Sequence, residues 1–240
     1  MGCCCSSEKD DPCPPFVSPA DALVLKSLEL TALKLLGTGG SARVLAAKSS
    51  SSELVAVKIM DLVSPTLGPM EKSFQNEVGI LQTLQTVPHP NVLEFVNSLA
   101  SEDYYVLITH MYQGGDLYDA IANSINSFSE RLVGRLIYQM VCALQHIHSM
   151  NIVHRDIKPE NFVFATATNK TLRSSSEFQL RIIDFGEALE VEDNEVVEDY
   201  VGSLLYVAPE VLKREQMDGL AWKRADMWSL VEIHLLNSHL

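Results

Sequence analysis

The longest regular pattern in the sequence is helical and lies between residues 130 and 148. Apolar side chains recur there at i, i+3, i+4 and i+7 for roughly five turns, which predicts a long helix with one buried face. These apolar positions are Val133, Leu136, Ile137, Met140, Val141, Leu144 and Ile147. A run of the same kind over 70–86 ends before Pro88 and predicts a second helix.

Short strand-like runs, separated by glycine and serine, dominate the part of the chain before the long helix. The runs in the whole chain span 29–36, 42–48, 54–60, 104–111, 162–165 and 179–183. The first three predict antiparallel strands, and the last two flank a Ser, Thr and Asn-rich stretch that predicts a surface insertion. Strands first and helices later indicate an α+β fold with two lobes.

Charge and cysteine content limit the partners and the compartment. The 240 residues include 31 acidic and 18 basic side chains, a net charge of −13. This balance argues against binding nucleic acid through a basic surface and favours basic peptides or metal-bound anions. No apolar run reaches the roughly 18 residues of a spanning helix. The five cysteines, three of them contiguous, do not suggest a disulfide framework and indicate a reducing compartment.

The first six residues match the pattern for N-myristoylation, with Gly2 exposed after removal of Met1 and Ser6 in the expected position. The adjacent thiols offer sites for palmitate, and two acyl chains anchor a protein where one binds marginally. These thiols belong to Cys3, Cys4 and Cys5. We therefore expect a peripheral anchor at the cytoplasmic face of a membrane, followed by a flexible or extended spacer to about residue 24. A disordered tail with accidental cysteines, or a metal-binding tract, is the alternative.

Two motifs follow the long helix, namely His154-Arg155-Asp156-Ile157-Lys158-Pro159-Glu160-Asn161 and Asp184-Phe185-Gly186. They resemble motifs of the protein kinase family. Further landmarks of that family follow the expected order, namely Gly37-Thr38-Gly39-Gly40-Ser41-Ala42-Arg43-Val44, Val55-Ala56-Val57-Lys58, Glu77 and Ala208-Pro209-Glu210. The resemblance covers about 28–230 and implies a tail over 1–27, a β-rich N-lobe over about 28–109 and a mainly helical C-lobe over about 114–240.

The resemblance implies an ATP site between the lobes. Its nucleotide contacts would be Gly37, Thr38, Gly39, Gly40, Ser41, Ala42, Val44, Ala56 and Lys58. Glycines let backbone amides approach phosphate oxygens, although a glycine run alone is more often a plain hairpin. Lys58 lies in an apolar strand and needs a partner if buried, for which Glu77 is the candidate. The alternative is a lysine at the solvent edge of the strand.

The same resemblance assigns the chemistry to the two motifs. Asp156 would orient the substrate hydroxyl and accept its proton, and Lys158 would neutralise the γ-phosphate. Asn161 and Asp184 would supply oxygen ligands to Mg²⁺. The triplet beginning at Lys158 and a hydroxyl at Ser203 resemble serine/threonine kinases rather than tyrosine kinases.

The segment from Tyr105 to Gly115 resembles the hinge that links the two lobes of a kinase. It would place Thr109 behind the nucleotide, the backbone of His110 and Tyr112 against adenine, and Asp116 near the ribose. Four further residues would form a stacked core that couples the lobes, although Leu81 and Phe185 alone would be ordinary core. The four are Leu81, His154, Phe185 and Asp226.

The residues in these motifs are most similar to those of the calcium/calmodulin-dependent and calcium-dependent kinases. Many of these prefer basic residues before the target hydroxyl, and Asp116 and Glu160 could select them. The stretch 187–199 contains seven acids and no base, which fits a solvated loop. Our sharper hypothesis is that one of these acids lies beside Arg155, where a phosphate would otherwise bind. Tyr200 and Ser203 are candidate phosphorylation sites.

After Leu230 the sequence departs from the family pattern, which expects glycine, further helices and an arginine that pairs with Glu210. We expect an incomplete C-lobe, apolar surface exposed on the last helix and no cation beside Glu210. The prediction is a serine/threonine kinase that transfers the γ-phosphoryl of ATP to a protein at a membrane surface. The alternative is a kinase-like module with weak catalysis. A P-loop hydrolase is disfavoured because the chain lacks its motif.

Overall fold

The computed structural model describes residues 14, 16–39, 42–62, 67–123, 129–166 and 178–238. Several predicted features fall outside these residues and stay predictions. They are the acylation motif at Gly2, Cys3, Cys4 and Cys5, the hairpin residues Gly40 and Ser41, and most of the surface insertion.

A five-stranded antiparallel sheet forms the N-lobe, with its strands in the order β1-β2-β3-β5-β4. The strands are β1 Leu30–Gly39, β2 Ala42–Ser49, β3 Leu54–Asp61, β4 Phe95–Ala100 and β5 Tyr104–His110. The sequence did not predict β4, because its apolar and polar residues do not alternate. The predicted α+β class with a β-rich N-lobe is confirmed.

The helix α2, Leu67–Thr86, packs against one face of this sheet and carries Glu77 towards the cleft. Phe74 of α2 stacks on Tyr105 of β5 with ring centroids 4.6 Å apart. Ile80, Leu81 and Leu84 are buried in the same cluster. These contacts set the position of α2, and therefore of Glu77, relative to the strands.

The helix α1, Pro19–Ser27, covers the opposite face of the sheet. The structure here differs from the expected extended spacer. Pro19 occupies the first helical position, where a proline is tolerated because its missing N–H has no partner within the helix. Ser18 and Asp21 form a reciprocal capping box. Prolines that suggested a spacer thus lead into a helix that is part of the folded N-lobe.

The C-lobe is mainly helical, and its described residues also form short pairs of strands. Its helices are α3 Leu117–Ala122, α4 Glu130–Ser149, α5 Pro209–Leu212 and α6 Gly219–Ser238. Its strands are β6 Ile152–Val153, β7 Phe162–Phe164, β8 Leu180–Ile182, β9 Leu189–Glu190, β10 Val196–Val197 and β11 Met217–Asp218. No helix in the described part of the chain is both long and apolar enough to cross a bilayer.

The long helix predicted from the apolar repeat is α4, which begins after an N-cap at Ser129. It buries Leu136, Met140, Leu144 and Ile147 in the central core. That core also contains residues of α2, β5, β7 and β8, so one continuous apolar cluster joins the two lobes behind the cleft.

Candidate active site

Lys58 and Glu77 form an ion pair at the back of the cleft. The Nζ atom of Lys58 lies 3.0 and 2.8 Å from the two carboxylate oxygens of Glu77, and 3.8 Å from Oδ1 of Asp184. Burial opposes the charge of Lys58, but the carboxylates of Glu77 and Asp184 outweigh this effect and raise the pKa of Lys58. Burial also raises the pKa of Glu77, although the ammonium of Lys58 opposes part of that rise. The ion pair therefore holds the lysine charged and fixed in a pocket largely removed from water.

Asp156 lies in the loop between β6 and β7, within a network of donors. Its Oδ1 accepts a hydrogen bond from the hydroxyl of Ser203 at 2.7 Å, and its Oδ2 accepts one from Lys158 at 2.5 Å. Asn161 donates to the carbonyl of Asp156 at 2.8 Å. The Nζ atom of Lys158 also lies 3.4 Å from the hydroxyl of Ser203. The structure thus brings together the four residues that the sequence assigned to phosphoryl transfer and substrate class.

These contacts determine the ionisation of Asp156. Burial opposes the charged form, but hydrogen bonds from Lys158 and Ser203 outweigh it and hold the pKa of Asp156 below its ordinary value. The carboxylate is therefore ionised near neutral pH and aligned by two donors. It can accept a hydrogen bond from an incoming hydroxyl without first losing a proton.

Two oxygen donors suited to a hard divalent cation face this loop. Asn161 donates its amide N–H₂ to Asp156, which leaves its side-chain oxygen as an acceptor. Asp184 is half exposed and has a backbone φ of +61°, an uncommon value for a residue other than glycine. Within the described ranges, no three His, Cys, Asp or Glu side chains converge as a metal site. The side-chain oxygens of Asn161 and Asp184 are of the type that Mg²⁺ binds in proteins, where phosphate and water commonly supply its other ligands.

The hinge between the lobes is held close to β7. Gly114 donates to the carbonyl of Phe164 at 2.9 Å, and a Cβ on Gly114 would lie 2.3 Å from the Cβ of Phe164. Only glycine allows this approach. Thr109 is buried near the end of β5 and pairs with Ala56 of β3.

Tyr112 offers a backbone N–H group as a donor, and its ring anchors the hinge. Its backbone N–H has no hydrogen-bond partner among the described residues, which leaves it available to a nucleobase. Its ring packs against His110 and lies under Arg181, whose Cζ is 4.9 Å from the ring centroid. Asp116 caps α3 by accepting from the N–H of Asp119. Of the predicted phosphate, base and metal contacts, only Gly40 and Ser41 lie outside the described residues, and the assignment of the set to a nucleotide stays a prediction.

Comparison with known proteins agrees with this geometry. Residues 30–236 match the family described as the protein kinase domain. The chain belongs to the protein kinase family. It is 32% identical over 227 residues to "Calcium/calmodulin-dependent protein kinase type 1" of Macrobrachium nipponense, an alignment that covers 94% of this chain and 59% of the relative.

Other relatives are calcium-dependent kinases. The chain is 36% identical over 155 residues to "Calcium-dependent protein kinase 12" of Oryza sativa subsp. japonica, covering 65% of this chain and 26% of that protein. It is 29% identical over 198 residues to "Calcium-dependent protein kinase 4" of Plasmodium berghei, covering 82% and 35%. The chain therefore spans less than two thirds of the length of these relatives. The predicted resemblance to this group of kinases is confirmed.

Arg155 contacts the activation segment, by which we mean the stretch between Asp184-Phe185-Gly186 and Ala208-Pro209-Glu210. The guanidinium donates to the carbonyl of Glu187 at 2.7 Å and lies 3.4 Å from the carboxylate of Asp199. It also lies over the ring of Trp222, 5.4 Å from its centroid. The Arg155 side chain is 6% exposed and that of Asp199 is 69% exposed. An acid of the predicted stretch therefore occupies the position beside Arg155.

Both candidate phosphorylation sites have hydrogen-bonded hydroxyls. Tyr200 donates to the carbonyls of Arg214 and Glu215, and Ser203 donates to Asp156. Among the residues that the structure describes, no cation forms an ion pair with Glu210.

The stacked core between the lobes is also assembled. The rings of His154 and Phe185 lie 5.1 Å apart, and Leu81 is buried in the same region. Asp226 of α6 accepts hydrogen bonds from the backbone N–H groups of His154 and Arg155 at 2.9 and 2.8 Å. This carboxylate fixes the backbone that carries Asp156.

Sequence reasoning missed two side chains that position elements around the cleft. Asn76, next to Glu77, donates to the carbonyl of Ala188 at 2.7 Å and ties α2 to the start of the activation segment. Asn91 donates to the carbonyl of Leu180 at 2.7 Å and to Gln139 at 2.9 Å, which ties the loop after α2 to the C-lobe. Neither asparagine lies in a recognised motif, and only the position of Asn76 beside Glu77 could have pointed to it.

Proposed function

We propose that this chain is the catalytic part of a serine/threonine protein kinase that uses Mg²⁺ and ATP. The observation that carries the proposal is the network around Asp156, in which Lys158 and Ser203 align an ionised carboxylate at the mouth of the cleft. The ion pair of Lys58 and Glu77 supports it from the other side of the cleft. The named kinases among the relatives add support from comparison.

The proposed reaction assigns one step to each group. A substrate hydroxyl donates a hydrogen bond to Asp156, and its oxygen attacks the γ-phosphorus. The bond between the γ-phosphorus and the bridging oxygen breaks, ADP leaves with the electron pair, and the hydroxyl proton passes to Asp156. Lys158 neutralises charge on the γ-phosphoryl group, and Lys58 holds the other phosphates. Mg²⁺ held by Asn161 and Asp184 would neutralise the remaining phosphate charge.

The substrate class can be tested with three peptides that carry one acceptor each. We expect phosphate transfer from Mg-ATP to a serine or threonine peptide with upstream arginines, and little transfer to its tyrosine counterpart. The acidic side chains of Asp116 and Glu160 motivate the basic sequence. Equal rates on arginine-rich and acidic peptides would remove the basic preference, and preference for tyrosine would remove the assigned class.

A second candidate function is a kinase-like module that binds nucleotide or a partner without turnover. The observation that favours it is a row of partly exposed apolar side chains on α6. They are Leu220, Met227, Trp228 and Val231. Binding of Mg-ATP without phosphate transfer to any peptide would select this candidate.

The proposed location is the cytoplasmic face of a membrane, with acyl chains on Gly2 and on the neighbouring cysteines. The support is the sequence motif, since two acyl chains give stable anchoring. Gly2→Ala is expected to move the full-length protein from the membrane fraction to the cytosol, because the site of myristoylation is removed. Ser7→Ala, outside the motif, is the control. Membrane association that survives Gly2→Ala would refute the anchor.

We further propose that Asp199 replaces an activating phosphate beside Arg155. Asp199→Asn is expected to lower kcat/KM by about tenfold, because the buried guanidinium loses its carboxylate partner and the segment that carries Ser203 loosens. Glu198→Gln removes the neighbouring exposed charge and should leave kcat/KM unchanged. Loss of wild-type activity on phosphatase treatment would contradict this role, because a phosphate would then be required.

A further inference from the structure

Arg43 lies at the point where the glycine-rich hairpin enters the sheet. It is the second residue of β2 and pairs with Thr38 of β1 on one side and with Ile59 of β3 on the other. It alternates along β2 with Val44, so the two side chains leave the strand on opposite faces. The Arg43 face is the one that α1 covers, and Val44 belongs to the cleft face.

The side chain of Arg43 holds two carboxylates at once. It donates to Asp61, at the end of β3, through Nη1 at 2.6 Å and through Nη2 at 2.9 Å. It donates to Asp21 of α1 through Nε at 2.6 Å, and its Nη2 also contacts Asp21. The guanidinium of Arg43 thus links three elements, namely β2, β3, which also carries Lys58, and α1.

Of the two carboxylates that Arg43 contacts, that of Asp21 is buried. Asp21 is 1% exposed, whereas Asp61 is 49% exposed. Burial opposes the charge of Asp21, but hydrogen bonds from Arg43 and Ser18 outweigh it and hold its pKa below the ordinary value. A buried carboxylate of this kind acts strongly on its partner, while an exposed ion pair is screened by water.

The packing around α1 makes it a fixed support. Val17, Val24 and Leu25 cover an apolar face of the sheet formed by β2, β3 and β5. The strand residues beneath them are Leu45, Ala47, Val55, Val57, Ile59, Val106 and Ile108. Asp21 is therefore held in place by the helix, and Arg43 is oriented against a rigid acceptor. Gly37 and Gly39 of the hairpin add no such restraint, since glycine leaves the backbone free.

We propose that α1 is a positioning element of the nucleotide site, in which Asp21 orients Arg43 and Arg43 fixes the base of the hairpin relative to Lys58. This inference rests on the proposed function for its effect on ATP. Asp21 and Arg43 touch no reacting atom and act through the hairpin. The planar guanidinium with its several N–H donors is required, because a lysine ammonium cannot donate to both carboxylates in this geometry.

The test compares the full chain with its Asp21→Asn and Arg43→Lys variants in three measurements at 25 °C. Without nucleotide, amide hydrogen exchange at 42–46 should become about tenfold faster in both variants, since coupling of this kind commonly changes an equilibrium by roughly 5–150-fold. The dissociation constant for Mg-ATP should rise about tenfold. The kcat value at saturating ATP should stay within about twofold, because the groups around Asp156 are unchanged.

Lys26→Gln is the matched control, since it neutralises an exposed charge on the same helix and should alter none of the three measurements. A purely structural role would lower the melting temperature and leave exchange at 42–46 and Mg-ATP affinity at their wild-type values, and that result would overturn the proposal. If the wild-type chain binds no Mg-ATP, the proposed function fails. Exchange at 42–46 in the nucleotide-free protein still decides whether Asp21 and Arg43 hold the hairpin.

Discussion

Asp156→Asn is expected to lower kcat for peptide phosphorylation by about 10²–10⁴, the range that a general base commonly supplies. An amide matches the shape of the carboxylate and can still accept from Lys158, so the loop should keep its position. It carries no charge to orient the substrate hydroxyl and does not take up a proton near neutral pH. Mg-ATP affinity should stay within about threefold, because Lys58, Asn161 and Asp184 are unchanged.

Asp103→Asn is the matched control, since Asp103 lies on the exposed turn between β4 and β5. It makes the same chemical change far from the cleft and should leave kcat at the wild-type value. If Asp156→Asn retained a tenth or more of the wild-type kcat, a different group would have to orient the hydroxyl. The proposal for Asp156 would then be withdrawn.

The fold was predictable where local patterns and long-range packing agree. The apolar repeat of α4 and the alternation along β3 could be predicted from the sequence, because the helix buries one face with a period of about 3.6 residues and the strand buries one face with a period of two. The first helix could not, since the prolines before it suggested an extended chain. Its decisive signal was Ser18 with Asp21 three residues later, a capping pattern that a search for spacers overlooks.

The candidate site was predictable residue by residue but not as a network. Motifs pointed to Asp156 and Lys58, because members of the protein kinase family carry those groups in a set order along the chain. They did not reveal which of the seven acids would contact Arg155, because that choice depends on how the activation segment folds back towards the guanidinium. The role of Arg43 could not be predicted either, because it depends on how α1 packs against the sheet.

Lys58→Met is the second change with a large expected effect. It removes the ammonium between Glu77 and Asp184 and should lower kcat/KM for ATP by about 10²–10³, the usual result of removing one preorganised electrostatic contact. Met keeps the length and apolar stem of the side chain, so β3 should retain its packing. Lys48→Met, an exposed lysine on β2, is the matched control and should have no effect on kcat/KM.

Stability must be separated from catalysis in this experiment, because Lys58→Met leaves Glu77 buried without its partner. Breaking a buried pair commonly costs about 3–5 kcal/mol of folding free energy. The double variant with Glu77→Gln removes the stranded charge and should regain thermal stability without regaining activity. If the double variant recovered the wild-type kcat/KM, Lys58 would act only through the stability of the lobe. Loss in both variants, with stability restored in the second, assigns Lys58 to the phosphates, where its charge acts directly on the transferred group.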